Sequence, residues 1–372
     1  MAYAYTPGLK VTEHGWARKE RRLPLPGRVH VEVGQAVRAQ EVVASTQLPG
    51  SITMVNVAAE MNVGPEEVPR WMVKQPGDAV TVGEVIAEAR AFFGLMHSLC
   101  RSPVDGVIES VSAVTGQVAI RGAPTPVELT AYLDGTVTHV YPDEGVVVET
   151  PCALVQGIFG FGGETYGPLR MAVSGPHEVL DADSVDETFR GAVIVGGALA
   201  TLAALRRAVE VGAVAVVVGG MEDTDADVLL GYPLGVAITG HERIGLTVVL
   251  TEGFGRIPMA DRTFRILAAR EGRPASVNGA TQIRAGVLRP EVIIAEKSAP
   301  ETPAEAPEGR LEAGRTVRLI RDPYFGALAT VLELPPEPAQ IETEAHVRVV
   351  KLRLQNGREV VVPRANVELI EE

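Results

Sequence analysis

The chain has 372 residues, of which 46% are hydrophobic and 22% charged, with a net charge of −13. This composition excludes a disordered chain, and the length has room for two or three domains. Two cysteines exclude a disulfide scaffold, and apolar runs as short as Ala213–Val218 and Val146–Val148 exclude a helical membrane span.

Residues 1–150 open with a segment that has no apolar signal region, so a cytoplasmic location is expected. A basic cluster follows, Arg18, Lys19, Arg21, Arg22 and Arg28, and reads as a solvated surface run. Short glycine-punctuated strands then recur. Val29–Ser45 (VHVEVGQAVRAQEVVAS) and Val73–Ala89 (VKQPGDAVTVGEVIAEA) share a pattern of apolar stretch, Gly-polar turn, short strand, turn and apolar strand. Pro103–Val111 (PVDGVIESV) and Tyr132–Val140 (YLDGTVTHV) are two copies of a second unit, in which Asp-Gly starts a turn before alternating residues. Each is followed by a further strand, Thr115–Ile120 and Glu144–Glu149. Between the first repeats, residues 55–72 read as an inserted pair of short helices rather than a helix-turn-helix, because Pro69 falls within the second helix.

Gly77, Asp78, Val80, Gly83, Ile86 and Ala87, with Pro103, Gly106 and Ile108, make this region resemble the barrel-sandwich hybrid of lipoyl and biotinyl domains. The resemblance implies an all-β domain. In that family a carrier lysine sits at the hairpin tip. The tip here, Ala89–Ser102, contains no lysine, so no lipoyl or biotinyl group and no other cofactor is expected.

Residues 151–190 form a glycine-rich transition. Residues 191–295 read as apolar strands alternating with helices. GAVIVGG, AVAVVVGG, GVAIT, LTVVLTEG and GVLRPEVIIA are the strands; ALATLAALRRAVEVG, MEDTDADVLLG and PMADRTFRILAAREG are the helices. That alternation predicts a Rossmann-like α/β domain with a sheet covered on both faces. In such sheets ligands bind beyond the carboxyl ends of the strands. The ends here offer Gly196, Gly197, Gly219, Gly220, Asp223, Thr239, His241, Glu242 and Glu252 as a rim for a small anionic ligand. His241 is placed there to serve as acid or base.

Residues 296–311 are Pro, Ala and Glu and read as a linker. In residues 312–372, Gly314, Val317, Leu319, Phe325, Gly326 and Val331 resemble a KOW motif, which implies a small SH3-like barrel. Its partner contacts would come from Arg318, Arg321, Tyr324, Phe325 and Gly326. The fold expected of the whole chain is therefore multidomain α/β plus all-β: a barrel-sandwich-hybrid-like domain (1–150), a Rossmann-like domain (191–295) and a KOW-type barrel (312–372).

No catalytic or metal-binding signature is present: there is no G-x-S-x-G, H-E-x-x-H or C-x-x-C. Residues 1–150, 151–295, 296–311 and 312–372 carry net charges of −5, −4, −2 and −2, so no segment is a basic domain. A protein or ribonucleoprotein partner is thus favoured over naked nucleic acid. The expectation is a non-enzymatic adaptor or scaffold docking such a partner, with the transcription or translation machinery as a candidate. The alternative is an enzyme or sensor built on the central rim.

Overall fold

The computed structural model describes residues 9–91, 96–232, 239–282, 288–296, 311–319, 324, 327–340, 346–354 and 357–371. Within its first 156 residues, one β unit is nested inside another. The outer unit comprises strands Leu9–Arg22, Arg28–Val29, Ala36–Val37, Val42–Leu48, Thr125–Thr130, Gly135–Tyr141 and Gly145–Gln156. The inner unit comprises Ile52–Asn56, Ala79–Val80, Val85–Ala91, Met96–Arg101, Gly106–Val111 and Gln117–Arg121.

The two units share their pairing. The first strand runs antiparallel to the last in each, Leu9–Arg22 on Gly145–Gln156 and Ile52–Asn56 on Gln117–Arg121. The long hairpins, Val42–Leu48 with Thr125–Thr130 and Val85–Ala91 with Met96–Arg101, each skip one fully buried residue, Val43 and Ile86. The turns match bond for bond. Arg38 N donates to Glu41 Oε2 (3.1 Å) as Thr81 N does to Glu84 Oε2 (2.9 Å). Ala39 N donates to Asp134 Oδ1 (2.8 Å) as Val82 N does to Asp105 Oδ1 (2.7 Å). Gly34 and Gly77, at φ of 88° and 97°, take the left-handed conformation that side chains disfavour. Their N–H groups donate to Val137 O (2.7 Å) and Ile108 O (2.8 Å).

The inner unit thus stands where the outer hairpin would turn, between Leu48 and Thr125. Each unit closes its own core. Val31, Val37, Val43, Leu133, Val137 and Val148 fill the outer one; Val55, Val80, Ile86, Ile108, Val118 and Ile120 fill the inner one. The helices expected near residues 55–72 form as Val57–Met61, a 3-10 turn Pro65–Glu67 and Val68–Trp71, and bury Val57, Met61 and Val68. Asn56 caps the first by accepting from Ala59 N (3.1 Å). Pro69 lies in the first turn of the last, where its missing N–H costs no helical bond.

The expected multidomain α/β plus all-β arrangement with a Rossmann-like centre is not adopted. The described residues are 48% strand and 15% helix, with five α-helices among them. Within the central sheet, parallel pairing runs through Glu164–Met171, Val193–Val195, Ala215–Met221 and Thr247–Phe254, and shorter parallel pairs join Val179–Leu180 to Leu199–Ala200 and Leu9–Arg22 to Val367–Glu371. Phe159–Phe161 adds antiparallel at one end, and Pro274–Asn278 and Glu291–Ala295 at the other. Glu291–Ala295 then pairs with Gly145–Gln156, so the central strands and the outer unit form one continuous sheet.

The physical reason is that apolar strands demand two covered faces but do not dictate what pairs with their edges, and here antiparallel strands continue the sheet at both ends. Helices Leu202–Val211 and Asp223–Leu230 cover one face through Ala204, Leu205, Ala208 and Ala226. Asp261–Ala268 covers the other through Phe264, Ile266 and Leu267, beside Leu9 and Val11 of the first strand. Most of the strand expected at 235–239 lies outside the described residues.

The C-terminal strands Thr316–Leu319, Leu328–Glu333, Val349–Leu354, Glu359–Pro363 and Val367–Glu371 pair antiparallel around Val317, Leu319, Val331, Val350 and Leu352. Residues 297–310 of the expected linker lie outside the described residues. The unit they precede is joined to the rest of the sheet by parallel pairing of Leu9 with Ile370 and Lys10 with Glu371. Among the described residues no helix is long and apolar enough to cross a membrane.

Candidate functional site

The expected glycine rim is closed by the chain's own backbone. A Cβ on Gly197 would collide with Glu178 O, one on Gly219 with Ile257 O, and one on Gly220 with Gly255 O. At Gly196 a Cβ would press on Leu180 and Val218 at 3.2 Å. Loop bonds fix this cover: Ala198 N donates to Glu178 O (2.7 Å), Gly255 N to Met221 O (2.7 Å) and Ile257 N to Ala198 O (3.1 Å). The glycines serve the close approach of loop to strand, and the N–H groups of Gly196 and Gly219 are taken by Val217 O and Gly197 O (2.8 Å each).

Thr239 is buried and ties strands together. Its hydroxyl donates to Gly160 O (2.6 Å) and accepts from Thr281 N (2.9 Å). Glu242 takes the place expected of an anion: its Oε2 accepts from Gly162 N (2.9 Å) and Gly240 N (2.7 Å), and its Oε1 from Tyr232 OH (3.2 Å). Burial alone would raise this carboxyl, but the two backbone donors outweigh it and hold the group below its ordinary 4.5. His241 is exposed beside it. Asp223, also exposed, opens helix Asp223–Leu230, where a negative charge suits the helix dipole.

Two residues expected in different sites meet in one ion pair. Arg318, expected at a partner surface, is 2% exposed, and Glu252, expected on the ligand rim, is 3% exposed. Arg318 Nη2 donates to Glu252 Oε2, and Nη1 to Thr251 O (3.0 Å). Glu252 Oε1 also accepts from Ala260 N (3.0 Å). Glu368, cross-strand from Arg318, pairs with Arg289. Burial lowers the Arg289 guanidinium to about 10, with the Arg318 charge adding to the effect. Burial likewise lowers Arg318, opposed by Glu252. This network fastens the C-terminal unit to the central sheet. Removing one partner of such a pair costs about 3–5 kcal/mol, because the other charge stays buried and uncompensated.

Of the remaining expected partner contacts, Tyr324 is half-buried with the Arg358 guanidinium 5.9 Å from its ring centre. Arg321, Phe325 and Gly326 lie outside the described residues. The basic run of the first strand is paired. Arg18 meets Glu149 (3.4 Å), Lys19 meets Glu291 (2.5 Å), Arg21 meets Glu164 (2.6 Å), and Arg22 meets Glu144.

Sequence reasoning missed a polar cluster between the outer unit and the central sheet. Tyr132 adopts a left-handed φ of 65° and is buried. Its phenol donates to Glu291 Oε1 (3.2 Å), its carbonyl accepts from Ser276 Oγ (2.5 Å), and Arg21 lies 5.4 Å from its ring centre. Burial, reinforced by the Glu291 charge, pushes this phenol well above its ordinary value. Next to it, Tyr166 OH donates to Asp134 Oδ2 (2.6 Å). The cluster joins five separate segments, and the one signal in the sequence is a tyrosine standing where the other repeat has Pro103.

Cys100 and Cys152 are buried, and burial pushes both thiols up to about 12, away from nucleophile chemistry. Among the described residues no group of three His, Cys, Asp or Glu is placed to hold a metal ion. No protein-family model matches the chain, and no curated protein matches it.

Proposed function

We propose that the chain is a scaffold or adaptor that docks a protein or ribonucleoprotein partner, with its KOW-like C-terminal unit as one of the docking modules. The observation that carries this reading is where the charges go. The basic run of the first strand and the Arg318–Glu252 pair, which in isolation suggest binding of phosphate or nucleic acid, are matched within the chain. Lys19–Glu291, Arg21–Glu164 and Arg318–Glu252 tie distant segments to one another, and the chain as a whole is net acidic, which favours a protein face over a phosphate backbone.

The test is a pull-down of the intact tagged chain from lysate of its source, with and without nuclease. Proteins retained at a fixed ratio in both conditions support a protein partner. A set lost on nuclease treatment supports a ribonucleoprotein. A chain recovered alone in both conditions overturns the reading.

A further inference from the structure

The nested duplication lets one unit report on the other. In the outer unit the turn that carries Asp134 is covered: Ala39 beside it is 3% exposed, and Asp134 receives the Tyr166 phenol at 2.6 Å. Tyr166 lies on strand Glu164–Met171 of the central sheet. In the inner unit the same turn, with the same carboxylate-to-backbone bond, is bare. Val82, the counterpart of Ala39, is 63% exposed, Val107 is 42% exposed, and Asp105 and Pro103 are exposed too. An exposed carboxylate framed by three apolar side chains calls for a group with an apolar body and a single donor. A phenol meets both demands, as Tyr166 does on Asp134; an ammonium would leave Val82 and Pro103 against a strongly hydrated charge.

We propose that the inner turn docks a partner protein through an extended segment bearing a tyrosine, its hydroxyl on Asp105 and its ring against Val82 and Pro103, as Tyr166 meets Asp134 in the outer unit. This inference rests on the scaffold reading and names one of its surfaces. The covered copy of the same turn carries such an occupant, a tyrosine on an extended strand whose phenol donates to Asp134 Oδ2 at 2.6 Å.

The probe is a fluorescein-labelled peptide of residues 161–171, FGGETYGPLRM, titrated into the full chain and followed by anisotropy. Saturable binding is expected, weakened about tenfold by Val82→Glu or Asp105→Asn and by a Tyr→Phe change in the peptide. Asp105→Asn keeps an acceptor for Val82 N, and an unchanged melting temperature confirms that each variant is folded. Absent binding, or binding equal in all variants, overturns the proposal. So does a concentration-dependent dimer in sedimentation that Val82→Glu abolishes, which would assign the face to a second copy of the chain. If the peptide fails while the lysate complex survives Val82→Glu, this surface is wrong and the scaffold reading stands. If no lysate complex exists, the scaffold reading itself has failed.

Discussion

The outer and inner units have the same strand order, the same skipped residue in the long hairpin and the same turn bonds, yet one turn is buried in the molecule and the other faces solvent. Residues that act through the backbone are shared: Gly34 and Gly77, Glu41 and Glu84, Asp134 and Asp105. Residues that meet the surroundings differ: Tyr132 against Pro103, Ala39 against Val82. Turn geometry and docking are therefore carried by separate positions. A motif can be copied intact while its surface is rebuilt.

The sharpest way to break this comparison is to truncate both turns. Tyr132→Ala removes a buried aromatic and leaves Glu291 short of a donor, so a loss of about 3–5 kcal/mol in urea unfolding is expected. The counterpart Pro103→Ala, at an exposed site, is expected to shift stability by less than about 0.5 kcal/mol. Equal losses would mean that the two turns are anchored alike and that exposure misstates their roles.

A second contrast tests what the copies share. Gly34 and Gly77 both have positive φ with open space where a Cβ would go, so alanine meets backbone strain and nothing else. Each substitution is expected to cost about 1–2 kcal/mol, and the two costs should agree within about 0.5 kcal/mol. A large cost at one site alone would show that the repeated turn does different structural work in the two units.

These positions also mark what could be read from the residues. The Gly-polar turns of the two repeats stand where the pattern puts them, because a left-handed turn and a two-residue alternation are local demands. The strands around Val193, Val216 and Val249 and the helix through Leu205 also form locally. Assembly was not legible. An apolar strand shows that its faces are covered and not what pairs with the sheet's edges, and nothing near Val193 announces that Glu291–Ala295 will join Gly145–Gln156. Arg318 shows the same limit. Between Val317 and Leu319 it falls on the polar side of a strand, which reads as solvent-facing. Only the carboxylate of Glu252, 66 residues earlier, makes burial on that side tolerable. Glu242 stands on the expected rim, but its carboxylate is held by Gly162 N and Gly240 N and not by the strand-end glycines. The first of these donors lies 80 residues away.

The smallest expected effect separates the copies electrostatically. Glu84 accepts from Thr81 N, as Glu41 does from Arg38 N, but Glu84 also pairs with Lys74 Nζ at 2.6 Å. Lys74, then the Thr81 amide, holds the Glu84 carboxyl below its ordinary 4.5 in the folded chain. A carboxyl depressed in this way stabilises the fold above the unfolded value and loses that contribution as pH falls through the folded one. An NMR titration of the Glu84 side-chain carbon should therefore show a midpoint below 4.5 that moves up toward it in Lys74→Met. Added salt should do the same, since the pair is exposed to solvent. Because the inner turn keeps its amide bond to Glu84 either way, the melting temperature at neutral pH should hardly change. A midpoint unmoved by Lys74→Met would mean that the backbone donor alone sets the titration. The inner turn would then owe nothing to the one charge pair that the outer turn lacks.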